Sequence, residues 1–205
     1  IRVDEEEVQK CIEKLLRRDF ITIEEIDWKS LLEKELKLQL DSEQISSLKK
    51  CFKCPFCIIT GEAGTGKSTL VSALIAGIRK KEGRTRILVL TPTGKAADRL
   101  KEIGIGDAKT IHKELSEKGW FNWTTLTFKK EGDKKIEAET IILDESSMID
   151  ISLLATLFRA INWNYVKRFI LVGDYHQLPP IGPGRPFYDI IQHVKMMKDK
   201  CENIC

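Results

Sequence analysis

No apolar run in this 205-residue sequence approaches the roughly 20 residues that cross a bilayer, so no stretch reads as a membrane-spanning helix. A signal-peptide pattern is lacking at the start, which removes the usual reason to expect an oxidised, secreted protein. Internal repeats and low-complexity segments are absent too, which sets aside solenoids and disordered tracts. Charge of one sign is scarce: 34 Lys and Arg against 31 Asp and Glu leave +3, too little to argue for nucleic acid by itself. A groove could still be locally basic. The first residues are Ile1-Arg2-Val3 rather than Met, so a piece of a longer protein is expected.

Metal-ligand spacing is present only in part. Cys51-x-x-Cys54-x-x-Cys57 could begin a zinc or iron–sulfur site, with Cys201 and Cys205 as distant candidates. No fourth ligand lies nearby, and Cys57 falls inside an apolar run that reads as a buried strand. The cysteines are therefore expected to be reduced, in a cytoplasmic protein, and to pack as small hydrophobes.

What the chain does have is Gly61-Glu62-Ala63-Gly64-Thr65-Gly66-Lys67-Ser68, followed by Thr69. This fits G-x-x-x-x-G-K-[ST], the loop that wraps a nucleotide triphosphate. Its context is the required one. Phe56 to Thr60 reads as a short strand, while Leu70, Val71, Leu74, Ile75 and Ile78 recur at helical spacing. Glycines let backbone N–H groups turn toward phosphate oxygens, and the following helix adds positive potential. Lys67 is expected on the β- and γ-phosphates and Ser68 on Mg²⁺, which makes ATP and Mg²⁺ the anticipated ligands.

Hydrolysis needs acids. Thr140-Ile-Ile-Leu143 is a continuous apolar run ending in Asp144-Glu145. A carboxylate at the tip of a buried strand would reach the metal held by Ser68, and its neighbour would polarise water. Asp144 is thus expected at the metal, and Glu145 as general base. Gln177 follows the strand Phe169–Gly173 in a proline-pinned loop, where it could bond a γ-phosphate or the lytic water.

Short apolar strands near 56–60, 86–91, 140–144 and 168–173 alternate with helices near 42–53, 67–80, 94–103, 151–160 and 186–195. That rhythm predicts an α/β fold with a mostly parallel sheet covered by helices on both faces. Residues 1–38 read as a small, mostly helical appendage with an Asp4–Glu7 capping box, a short strand at 20–23 and a helix near 28–38. As a solvated linker or a partner-binding element it is equally plausible. Residues 119–139 interrupt the rhythm with a β-hairpin signal: a strand at 121–128, a turn at Glu131-Gly132-Asp133 and a return over 134–138. Thr91-Pro92-Thr93-Gly94-Lys95-Ala96-Ala97 and Thr110-Ile111-His112 form strand–helix turns whose hydroxyls and N–H groups could hold a phosphodiester backbone.

These blocks, in this order, resemble the first motor domain of superfamily 1 DNA helicases, the RecD-like group, over roughly residues 38–192. The likeness implies a RecA-like P-loop NTPase fold for residues 39–205 and an ATP-dependent 5′→3′ helicase acting in DNA repair and recombination. It implies that Gln44, in Leu40-Asp-Ser-Glu-Gln44, contacts adenine, although Asp41 and Gln44 also make a capping box. It implies that Gln177 couples hydrolysis to DNA movement, and that the 119–139 hairpin resembles the small wedge at the strand-separation point. Pro92, Thr93, Lys95, Thr110 and His112 would touch single-stranded DNA. A second RecA-like lobe would be the partner, without which one lobe cannot step. An RNA helicase of the same superfamily, or an ATP-switched regulatory module, are the competing readings. A clamp-loader ATPase suits the Gly173–Gly184 loop less well.

Overall fold

The alternating pattern folds as expected in the computed structural model, which describes residues 2–198 apart from 63 and 123. Helix α1 spans Arg2–Leu16, and a short α2 (Trp28–Ser30) runs into a π-helical turn over Leu31–Leu36. Then come α3 (Ser42–Lys53), β1 (Phe56–Thr60), α4 (Lys67–Glu82), β2 (Ile87–Thr91), α5 (Gly94–Glu102), β3 (Lys109–Thr110) and α6 (Ile111–Glu117). The remainder is β4 (Phe121–Asn122), β5 (Thr127–Phe128), β6 (Thr140–Leu143), a 3-10 turn at Ser146–Met148, α7 (Ile151–Ala160), β7 (Arg168–Gly173) and α8 (Pro186–Lys198).

The main sheet has the order β1-β7-β6-β2-β3, and every pairing in it is parallel. The register puts Thr60 opposite Gly173, Leu143 opposite both Leu171 and Leu90, and Thr91 opposite Thr110. All five C-terminal strand ends therefore open onto one edge, where ligands bind in open α/β sheets. Alternation along the strands feeds two cores. Phe56, Leu88, Leu90, Ile141, Leu143, Phe169 and Leu171 pack with α1, α6, α7 and α8, whereas Cys57, Ile59, Val89, Ile142, Ile170 and Val172 pack with α3 and α4. The apolar runs are continuous because both faces are covered. Among the described residues no helix is long and apolar enough to cross a membrane.

The first 38 residues depart from expectation. Asp4 and Glu7 lie within α1 rather than ahead of it and accept from Arg159 Nη1 on α7 at 3.0 and 2.7 Å. Val8, Ile12 and Leu15 belong to the same buried cluster as Leu154 and Leu157, so this helix is part of the core and not a solvated linker. The strand anticipated at 20–23 joins no sheet; Ile21 N instead donates to Lys53 O at 2.8 Å. Trp28 closes the opposite face, edge-on to Phe52 at 5.4 Å. Its ring lies so close to Gly77 that a Cβ there would meet it at 2.4 Å.

The hairpin is shorter than anticipated and turns earlier. Phe121 pairs with Phe128 and Asn122 with Thr127, so the turn falls inside the stretch read as one strand. The cause is local: the Asn122 side-chain oxygen accepts from Thr124 N at 2.9 Å and Thr125 N at 3.4 Å, an Asx turn that reverses the chain. The return strand expected over 134–138 instead supplies an isolated parallel bridge from Ile136 to Ile161 at the end of α7.

Candidate nucleotide site

The phosphate loop joins β1 to α4. Gly64 and Gly66 sit at φ +86° and +84°, backbone that a side chain strongly disfavours, and Gly66 N-caps α4. A Cβ on Gly61 would meet Thr65 Oγ1 at 2.6 Å. The loop is folded on itself: Lys67 Nζ donates to the carbonyls of Gly61 at 2.6 Å and Glu62 at 2.8 Å, and Thr65 Oγ1 also donates to Glu62 O. Ser68 and Thr69 occupy the first turn of α4, half-buried. Ala63, assigned to the same loop, lies outside the described residues.

Beside the loop is a cleft of ≈ 500 Å³ lined by Gln44, Ser47, Ile59, Thr60, Gly66 and Lys67, among others. Gln44 serves two partners. Its amide oxygen accepts from Asp41 N at 3.0 Å, completing the capping box of α3, while its amide nitrogen donates to Thr65 O at 3.2 Å.

The acids arrive from β6. Asp144 is 6% exposed and Glu145 half-buried. Burial pushes the Asp144 carboxyl above the usual range; the Glu145 N–H it accepts at 2.9 Å and the charges of Lys67 and Arg99 oppose that rise. The loop that carries Lys67 and the strand that ends in Asp144 lie on either side of β7, at the same edge of the sheet. Glu145 adopts the left-handed conformation (φ +53°), which is uncommon for a non-glycine residue. On β7, Gly173 O accepts from Gly61 N at 3.3 Å, tying the third block to the phosphate loop. The exposed Gln177 accepts from Ser147 Oγ at 3.3 Å, which brings the loop after β7 against the Asp144–Ser147 turn.

The donor set fits Mg²⁺. A hydroxyl at Ser68 and a buried carboxylate at Asp144 are hard oxygen ligands, and this ion typically takes one or two protein carboxylates beside substrate phosphates. Among the described residues no cluster of three or more His, Cys, Asp and Glu could hold a metal alone. Cys51, Cys54 and Cys57 are buried, as expected of packing groups. Cys11 and Cys51 carry free thiols. Cys201 and Cys205 lie outside the described residues.

The two turns expected to meet nucleic acid stand side by side, because β2 and β3 are neighbours. Thr93 caps α5 through Ala96 N at 3.3 Å, and Thr110 caps α6 through Lys113 N at 3.1 Å, so both hydroxyls already have local duties. Pro92 is half-buried and Lys95 exposed beside them. His112 is half-buried, its ring edge-on to Phe121 at 5.1 Å and tilted against Phe128 at 5.7 Å. Sequence alone did not single out Arg99, whose charge reaches Asp144 from α5, or Ser147, which holds Gln177. Ser147 lies two residues past the acids and could have been found there; nothing in the pattern marks Arg99.

A family profile described as an AAA domain matches residues 44–183. The chain is 37% identical over 181 residues to an uncharacterized protein of Methanocaldococcus jannaschii, covering 84% of the chain and 15% of that protein. It is 31% identical over 172 residues to the ATP-dependent RecD2 DNA helicase of Deinococcus radiodurans, covering 84% of the chain and 22% of the relative. It is also 31% identical over 163 residues to the RecBCD enzyme subunit RecD of Mycobacterium tuberculosis, covering 69% and 27%. The chain thus spans less than a third of the length of these curated relatives. A solved structure of two coordinating Pif1 helicases on forked dsDNA shares the fold, with a TM-score of 0.52 at 22% identity, over 79% of this chain and 38% of that one.

Proposed function

The chain belongs to the AAA-domain family, with RecD-type helicases among its relatives, and from that premise we propose that it is the ATP-hydrolysing lobe of a 5′→3′ DNA helicase. The observation that carries this reading is geometric: the phosphate loop after β1 and the acids after β6 leave the same C-terminal edge of one parallel sheet, with Gly61 N bonded to Gly173 O on the strand between them. A phosphate loop with a buried acid two strands away on that edge suits turnover of a triphosphate better than passive binding.

In this mechanism Lys67 leaves the carbonyls of Gly61 and Glu62 and places its ammonium on the triphosphate, a better partner than two neutral oxygens. Backbone N–H groups of Gly64, Gly66 and Lys67, with the α4 N-terminus behind them, hold the phosphate oxygens. Gln44 reads the adenine edge from the capping turn of α3. Ser68 and Asp144 would hold Mg²⁺, which when bound offsets the charge of the phosphates. Glu145 takes the proton of the attacking water. Asp144 is buried whereas Glu145 is half-buried, so the two acids are suited to different work. Gln177 senses the phosphate and passes its state to the loop it sits in. Pro92, Thr93, Lys95 and Thr110 grip single-stranded DNA through its backbone, and a second RecA-like lobe completes the channel.

The test is ATP hydrolysis by the full-length protein with and without single-stranded DNA and RNA of matched sequence. Stimulation by DNA is expected. Stimulation by RNA alone would favour an RNA helicase, and none by either would favour an ATP-switched module.

A further inference from the structure

The loop after β7 and the hairpin lie far apart in sequence, yet a short series of contacts runs between them. Pro183 O accepts from Ile151 N at 3.0 Å, fastening that loop to the start of α7. Gly182 presses on Asp150, the N-cap of α7, so closely that a Cβ would meet its carboxylate oxygen at 2.3 Å. Asp150 spends one oxygen on Leu153 N at 2.9 Å, and α7, which it caps, packs against α6, the helix that carries His112. His112 in turn stands against Phe121 and Phe128, which pair with each other across the hairpin with their rings 5.2 Å apart.

A hairpin with two paired positions and one further backbone bond, Lys129 N to Trp120 O at 2.9 Å, is too short to hold itself together in water. Its strands need an outside surface, and the imidazole edge meeting two phenyl rings is such a surface, since edge-to-face aromatic contacts stabilise beyond their buried area. The half-buried ring thus already has packing partners on the hairpin.

Resting on the helicase reading above, we propose that His112 is a positioning residue: it anchors the hairpin to α6, which packs against α7, the helix to which the loop carrying Gln177 is fastened. The imidazole works by shape and ring contact, not by binding a phosphate. Movement of the Gln177 loop on hydrolysis is then transmitted to the hairpin at the point where strands would part.

The experiment compares His112→Ala, His112→Phe and Phe128→Ala. In this chain, amide hydrogen exchange across 119–129 should quicken at least about tenfold in both alanine variants and stay near wild type in His112→Phe. In the full-length protein, forked-DNA unwinding should fall at least about tenfold in the alanine variants, while single-stranded-DNA-stimulated ATP hydrolysis changes less than about twofold. His112→Phe, which keeps a ring but offers no hydrogen bond, should restore unwinding. Failure of His112→Phe together with loss of DNA-stimulated hydrolysis would assign His112 to DNA contact and overturn the proposal, as would unchanged exchange in His112→Ala. If the wild type unwinds no fork, the helicase reading falls, while the exchange data still decide whether His112 anchors the hairpin.

Discussion

Gln44 and Thr65 are joined by a hydrogen bond of 3.2 Å between a helix-capping side chain and the crest of the phosphate loop. The amide that would read a base therefore also steadies the loop that would hold the phosphates. Because the capping box uses only the amide oxygen, one side chain meets both demands that seemed to compete in the sequence.

Replacing Gln44 by Ala removes half of that box, and roughly 1 kcal/mol of stability should go with it. The same change should narrow the preference for ATP over GTP. Thermal denaturation and competitive nucleotide binding read the two effects separately; an unaltered preference would take base recognition away from Gln44.

Lys67→Ala should abolish ATP binding or weaken it severely, since the triphosphate then loses its main cationic partner in the loop. Titration calorimetry on this chain is sufficient. Undiminished affinity would mean that nucleotide sits elsewhere.

Glu145→Gln preserves the size of the side chain but cannot accept a proton. Binding of ATP should survive, while turnover in the full-length protein should drop at least ~10²-fold. Near-normal turnover would place the base on another residue.

His112 gives a pH-dependent signature. Burial lowers its pKa from 6.5, with Asp150 opposing, so folding favours the neutral ring. The unfolded chain binds the proton more readily, and the stability contributed by the neutral ring is whole above about pH 6.5 and is lost as pH falls below it. The melting temperature should therefore decline from pH 7.5 to pH 5, and decline less in His112→Phe. Equal slopes for the two proteins would remove His112 from the account.

Much of the lobe is legible in one dimension. Apolar strands sandwiched by helices show continuous Val, Ile and Leu, and Ile141 to Leu143 are fully buried, as such a run requires. Asp41 and Gln44 announce the start of α3, and Gly66 and Lys67 the start of α4, because caps and positive-φ turns are local chemistry. What stayed hidden depends on distance. Asp4 and Glu7 satisfy a capping pattern by spacing, yet both lie inside α1 and bond Arg159, more than 150 residues later. The hairpin turns at Asn122 and not at Gly132, where the glycine instead makes room for Trp120, since a Cβ would meet the indole at 2.2 Å. Arg99 joins the field at Asp144 purely through the packing of α5 beside β2.

The seating of α1 on α7 has a practical consequence. Trimming the protein back to the start of the family match would strip a greasy seam along Leu154 and Leu157 and leave the Arg159 guanidinium without its two acids. A shortened version should be recovered as aggregate while the intact chain stays monodisperse. The opening sixteen residues are as much a part of the engine block as the strand that bears the phosphate loop.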